Sequence, residues 1–196
     1  MPKLLVFCGP NGSGKTTVTG KFPIIGTYVN ADIIQAHLQC SIADAAINAE
    51  QTREFLLANK CDFTFESVLS TPRNIELMKR AKENGYYVVC IYVLTKHPSI
   101  NIERVHKRVA LGEHDVPDDK VFTRYIRALT LFPEIIPICN ELYVFDNSND
   151  SSECNQSLIL CSINGNVETR PNEIWSKNML DSLLSGDYPQ RYILTE

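Results

Sequence analysis

The strongest constraint on this chain is an apolar run, residues 3–8, that breaks into Gly9-Pro10-Asn11-Gly12-Ser13-Gly14-Lys15-Thr16, with Thr17 following. The segment fits G-x-x-x-x-G-K-[ST] in full. Such a pattern arises by chance often enough to need a strand before it and a helix after it. Both are expected here. The run before it is continuous, as a central strand buried on both faces should be, and a helix starts near Gly14. The glycines let the backbone wrap a phosphate with converging N–H groups, and the helix N-terminus adds its positive dipole end. Lys15 is then expected to reach the β- and γ-phosphates of ATP, and Thr16 to ligate Mg²⁺. Hydrolases, switches and kinases share this cradle, so its surroundings must decide between them.

The remaining chain alternates short β-rich runs with longer helical ones, which predicts a three-layer α/β sandwich around a mostly parallel sheet. Strands are expected at residues 26–30, 62–66, 86–93 and 141–146. Helices are expected from Ala31, from the capping-box variant at Ser41 to about Lys60, and from Pro72 to the stop at Asn84-Gly85. Two more, about 99–111 and 117–131, form a helical lid insertion over about 97–133. A hairpin flanks Asn164-Gly165-Asn166, and a last helix runs from about Pro171 to Leu184. The whole is read as a single domain, with a C-terminal hairpin and helix over 156–196.

In open parallel sheets the active site lies beyond the carboxyl ends of the strands. That edge should collect the glycine-rich loop, Asn30-Ala31-Asp32, Glu66-Ser67, Thr95-Lys96 and Asp146-Asn147-Ser148. A kinase acting on a hydroxyl needs a carboxylate to accept its proton. Asp32 is the best candidate, although an Asp before Ile33-Ile34-Gln35 also suits a helix N-cap. Glu66 closes the apolar run Phe63-Thr64-Phe65, so it either meets metal-bound water or substrate, or is a solvated strand end. Phosphoryl transfer also needs cations. Arg104 and Arg108 share one helix face, and Lys120, Arg124 and Arg127 share a face of the next. A solvated helix face is the ordinary source of such stripes; their position in the lid favours a functional one.

Composition narrows the partners. A net charge of −4 over 196 residues argues against nucleic acid or anionic lipid as the main partner. No apolar stretch approaches membrane-spanning length, and the N-terminal run is too short for a signal segment; a cytoplasmic protein is expected. Seven cysteines, odd in number and with no C-x-x-C pair, read as reduced, unliganded thiols.

With these residues in view the chain resembles the zeta toxin family of P-loop kinases and its short relatives. The resemblance rests on the glycine-rich segment through Thr17, then Val29-Asn30-Ala31-Asp32, Phe65-Glu66-Ser67, Arg108-Val109 and Gly112 to Pro117. It continues through Arg124-Tyr125, Arg127 and Phe145-Asp146-Asn147-Ser148, nearly the whole chain in order. It implies a nucleotide-kinase-like core and an ATP- and Mg²⁺-dependent phosphotransferase. Zeta toxins phosphorylate UDP-N-acetylglucosamine on a sugar hydroxyl, and an antitoxin protein blocks their ATP site. By that resemblance Asp32 is the general base and Lys15 the phosphate-binding lysine. Glu66 and Ser67 serve the substrate, with Glu66 also at the metal. Arg108, Arg124 and Arg127 embrace the phosphates, and Asp146-Asn147 lie near the nucleotide base. Glu113 stands where relatives commonly have a second glycine, and Ser67 replaces their usual threonine. A kinase for another metabolite or a polynucleotide 5′ end, and a non-catalytic NTP-binding regulatory module, are the alternative readings.

Overall fold

The strand β1 (Lys3–Cys8) is apolar at every position after Lys3 because protein covers both its faces and both its edges. In the computed structural model, which describes residues 1–112, 115–149 and 156–195, it lies between β3 (Phe63–Ser67) and β4 (Tyr87–Leu94). β2 (Thr27–Val29) pairs outside β3 and β5 (Glu141–Asp146) outside β4, all parallel. β6 (Ser157–Ile163) and β7 (Asn166–Thr169) add the antiparallel hairpin to that edge, giving the order β2-β3-β1-β4-β5-β6-β7. The expected mostly parallel α/β architecture is the observed one.

Period-two alternation sends the two faces of the sheet to different cores. Leu4, Val6 and Cys8 join the larger one, together with Cys90, Tyr92 and Leu94 of β4. Leu5, Phe7, Ile91 and Val93 join a smaller one, closed by Val18, Phe22 and Ile25. The larger core is covered by α3 (Ile42–Ala58), α4 (Pro72–Glu83), α6 (Asp118–Thr130) and α7 (Lys177–Ser185). Three buried tyrosines fasten this layer at the carboxyl end of β4. Tyr92 donates to the carbonyl of Ala128, Tyr125 to that of Thr95, and Tyr188, in α8 (Tyr188–Tyr192), to that of Lys96.

The helices begin where their caps dictate. Ser41 Oγ accepts from Asp44 N at 3.1 Å and donates to the Asp44 carboxylate, a reciprocal cap. Pro72 and Pro98 open α4 and α5 (Pro98–Ala110). The helix after the glycine-rich loop, α1 (Lys15–Thr19), has only 5 residues, so loop N–H groups rather than a long helix dipole dominate there. The helix expected from about Pro171 starts instead at Lys177, and the short α8 follows it. Asn172 Oδ1 accepts from the N–H groups of Ile174 and Trp175, which turns the chain and buries Trp175, and Ser176 then caps the helix. The lid-turn residues Glu113 and His114, and Cys154 in the polar loop, lie outside the described residues. No helix among the described residues is long and apolar enough to cross a membrane.

Candidate active site

The carboxyl ends of the parallel strands bring the expected segments to one edge. The glycine-rich loop leaves β1, and α2 (Ala31–Leu38) starts directly after β2. Glu66 and Ser67 end β3, and Asn147 follows β5. Backbone hydrogen bonds join these exits laterally, from Gly9 N to Ser67 O at 3.2 Å and from Asn147 N to Leu94 O at 2.8 Å.

The loop itself is tightly determined. Gly12 has φ +73°, and a Cβ there would run into the backbone of Asn101; Gly9 has φ +139°, and a Cβ there would strike the carbonyl of Val93. Both positions therefore demand glycine for space as well as for conformation. Ser13 is fully buried, and its Oγ has no hydrogen-bond partner among the described residues. Lys15 Nζ donates to the carbonyls of Gly9 and Pro10 at 2.8 and 2.9 Å. Burial lowers its pKa to about 8; Glu66, Cys8 and Asp32 oppose that fall while Arg108 adds to it. Thr16 and Thr17 are exposed at the start of α1.

Buried amides clamp one flank of this loop. Asn101 of α5 is fully buried and donates from Nδ2 to Asn11 O at 2.5 Å, while its Oδ1 accepts from buried Thr95. Asn147 Nδ2 donates to Ser13 O at 2.8 Å, and Asn147 O accepts from Arg104 at 2.7 Å. Asp146 is 3% exposed, and its Oδ1 accepts from the N–H and hydroxyl of Ser148. Of the two residues expected near a nucleotide base, Asn147 braces the loop, while Asp146 holds the turn at Ser148. Arg104 donates to the carbonyls of Asn147 and Asn149.

The other flank carries the carboxylates. Asn30, not Asp32, caps α2: its Oδ1 accepts from Asp32 N at 2.8 Å and Ile33 N at 3.4 Å. The capping alternative for Asp32 is thereby settled, and its exposed carboxylate stands in the first turn of α2. Glu66 is half-buried, and its Oε1 accepts from Tyr28 OH and from Thr19 Oγ1. Burial, then the bond to Glu66, pushes the Tyr28 hydroxyl pKa upward, so it stays a donor. Ser67 Oγ accepts from Leu69 N and from Asn74 Nδ2, which makes it a turn residue between β3 and α4.

The lid arginines separate. Arg124 donates to Asn11 Oδ1 at 3.3 Å, and Arg108 is close enough to Lys15 to depress its pKa. Arg127, one turn further along α6, is exposed and lines a cleft of about 350 Å³ with Ser70, Thr71 and Pro72. Sequence reasoning missed Thr19, Tyr28 and Asn101 as parts of this site, and it placed Asn30 at the edge without its role as the cap of α2. Asn30 carried a local signal, an Asn at a strand-to-helix junction. Thr19 lies one turn after Lys15, whereas Tyr28 and Asn101 reach the site only through tertiary contacts.

No family model matches the sequence. An uncharacterized protein of Haemophilus influenzae is 33% identical over 129 residues, covering 63% of this chain and 92% of that protein. A chain of the AvrRxo1-ORF1:AvrRxo1-ORF2 complex with sulphate ions shares the fold with TM-score 0.70, at 15% identity over 95% of this chain. The same complex with ATP gives 0.66 at 14% identity. This chain spans 64% of the length of those AvrRxo1 chains. A chain of the PezAT chromosomal toxin-antitoxin system of Streptococcus pneumoniae aligns with 100% of this chain and 88% of its own, with TM-score 0.56 and 12% identity. These likenesses are of fold, and they match the zeta-toxin-like architecture expected from the sequence.

Proposed function

We propose that this chain, which belongs to one family with the Haemophilus influenzae protein, is an ATP- and Mg²⁺-dependent phosphotransferase acting on a small-molecule hydroxyl. A nucleotide-sugar such as UDP-N-acetylglucosamine is the proposed acceptor. The observation that carries the reading is a glycine-rich loop that folds its lysine back onto the carbonyls of Gly9 and Pro10, with Glu66 at the end of β3 and Asp32 in the first turn of α2 on one side and Arg124 reaching Asn11 on the other. A metal-binding carboxylate alone would suit a switch or hydrolase as well; a second carboxylate on the acceptor side is what favours transfer to a hydroxyl. One kinase domain is proposed, with the lid over about 97–133.

The residues present suit both groups the reaction needs. The buried, unpartnered Ser13 hydroxyl and the glycine backbone fit a phosphate. The Thr16 hydroxyl and the Glu66 carboxylate are hard oxygen donors of the kind Mg²⁺ takes. When bound, Mg²⁺ neutralises charge on the phosphates. Lys15, Arg108 and Arg124 hold the γ-phosphoryl oxygens as charge spreads over them. Asp32 takes the proton from the acceptor hydroxyl. The new oxygen–phosphorus bond forms while the bond to the β-phosphate oxygen breaks, and ADP leaves. Asn147 serves this step by bracing the loop, Asp146 by holding the turn beside it, and Arg127 is proposed to join Arg108 and Arg124 at the phosphates of ATP.

An antitoxin protein is the proposed macromolecular partner. Support comes from the shared fold with a chain of a toxin-antitoxin system. The acceptor is tested by incubating protein, ATP, Mg²⁺ and UDP-N-acetylglucosamine and weighing the sugar nucleotide by mass spectrometry. A gain of one phosphate group is expected. An unchanged sugar nucleotide, with phosphate appearing on another metabolite, redirects the proposal to that metabolite.

A further inference from the structure

The hydrogen bonds around Glu66 have a direction that the local chemistry forces. Asn30 Oδ1 accepts from the first N–H groups of α2, so its Nδ2 must face the other way, where it donates to Tyr28 OH at 3.2 Å. A phenol that accepts there has one proton to give, and the acceptor in reach is Glu66 Oε1. On the opposite side, the single proton of Thr19 Oγ1 lies between Lys15 O at 2.9 Å and Glu66 Oε1 at 3.2 Å. Both hydroxyls therefore converge on Oε1, and Oε2 is left without a hydrogen bond from the described residues. The sheet register makes this reach available: Tyr28 pairs with Thr64, two residues before Glu66 on the adjacent strand.

We propose that Tyr28 is a positioning residue for Glu66, and that the relay from the α2 cap through Asn30 and Tyr28 fixes Asp32 and Glu66 as one unit. Thr19 steadies the same oxygen from the phosphate-loop side. The relay joins the first turn of α2, which carries Asp32, to the strand end that carries Glu66. This inference rests on the phosphotransferase reading for its purpose, but its hydrogen-bond coupling is measurable without any reaction.

The test is a double-mutant cycle of Tyr28→Phe, Glu66→Gln and the double variant. One readout is thermal unfolding of the protein alone. The other is the affinity for the fluorescent nucleotide mant-ATP with and without Mg²⁺. Tyr28→Phe should lose roughly tenfold of the Mg²⁺-dependent gain in affinity, the scale of one hydrogen bond to a charged group. Glu66→Gln should lose at least as much, and the double variant no more than Glu66→Gln. The unfolding shifts should be non-additive in the same sense. Asn30→Asp keeps the helix cap but removes the donor to Tyr28, and should give a smaller loss in the same direction. Losses that multiply in the double variant, or a Tyr28→Phe protein with the wild-type Mg²⁺ response, overturn the proposal. So does a Glu66→Gln protein that keeps the full response. Failure of the phosphotransferase reading looks different: no acceptor gains phosphate from ATP, while the unfolding cycle and the Mg²⁺-dependent mant-ATP affinity still report on the coupling.

Discussion

Along the α5 side of the phosphate loop the neighbours are paired amides, buried at Asn101 and half-buried at Asn147: Asn101 bonds Asn11 and Thr95, and Asn147 bonds Ser13 through its side chain and Arg104 through its carbonyl. Along the β3 side they are carboxylates, half-buried at Glu66 and exposed at Asp32, supported by hydroxyls from behind. Neutral amides can be buried at little cost once each is paired, and they then fix a backbone without adding charge. Carboxylates left near solvent keep the negative charge that proton transfer and metal binding require. The loop is thus shaped on one flank and equipped on the other.

That division sets the order of expected effects. Lys15→Ala removes the cation both flanks surround and should lower ATP turnover by about a thousandfold or more, measured by release of labelled phosphate. Activity near the wild-type level would dismantle both flanks of the account. Asp32→Asn touches only the equipped flank. Transfer to an acceptor should fall by roughly 100- to 10,000-fold, with mant-ATP affinity unchanged; a parallel loss of binding would mean that Asp32 shapes the cradle instead.

Asn101→Ala touches only the shaping flank. It leaves Asn11 O and Thr95 without their partner in a fully buried place, which should cost about 1–3 kcal/mol in urea unfolding. ATP affinity should weaken with it while the chemical step, followed at saturating ATP, changes little. A variant as stable as wild type but unable to transfer phosphate would reverse the roles of the flanks.

The smallest effect is one of pH. Lys15 has its pKa lowered from its ordinary 10.5 to about 8 in the folded chain. Between those values the unfolded chain keeps a proton that the folded chain has released, so this group makes stability rise with pH across that window. Relative to Lys15→Met, the wild type should therefore gain melting temperature from pH 8 to 10.5. Parallel melting curves for the two proteins would show that burial does not hold the lysine down.

Features encoded locally were legible before the fold was known. Gly9 to Thr16 after an apolar run, Pro72 at a helix start and Asn164-Gly165 between β-rich runs each act within a few residues, so the succession of elements along the chain and the site edge could be anticipated from them. Cap identity was half legible, since Asp32 and Asn30 are both good caps and only geometry chose between them. The start of α7 was missed because buried Trp175 and the turn at Asn172 hold the chain out of helix, a tertiary preference over a local one. Asn101 and Tyr28 look unremarkable in the sequence. Their meaning comes from which strand or helix lies beside the loop, and one-dimensional spacing does not carry that.

The most direct measurement is to incubate the protein with γ-labelled ATP and Mg²⁺ in a metabolite extract and to follow where the label goes. The account predicts label on an organic small molecule, absent with Lys15→Ala and sharply reduced with Asp32→Asn. Label that appears only as inorganic phosphate, or stays on ATP, would contradict it and leave a nucleotide-binding switch.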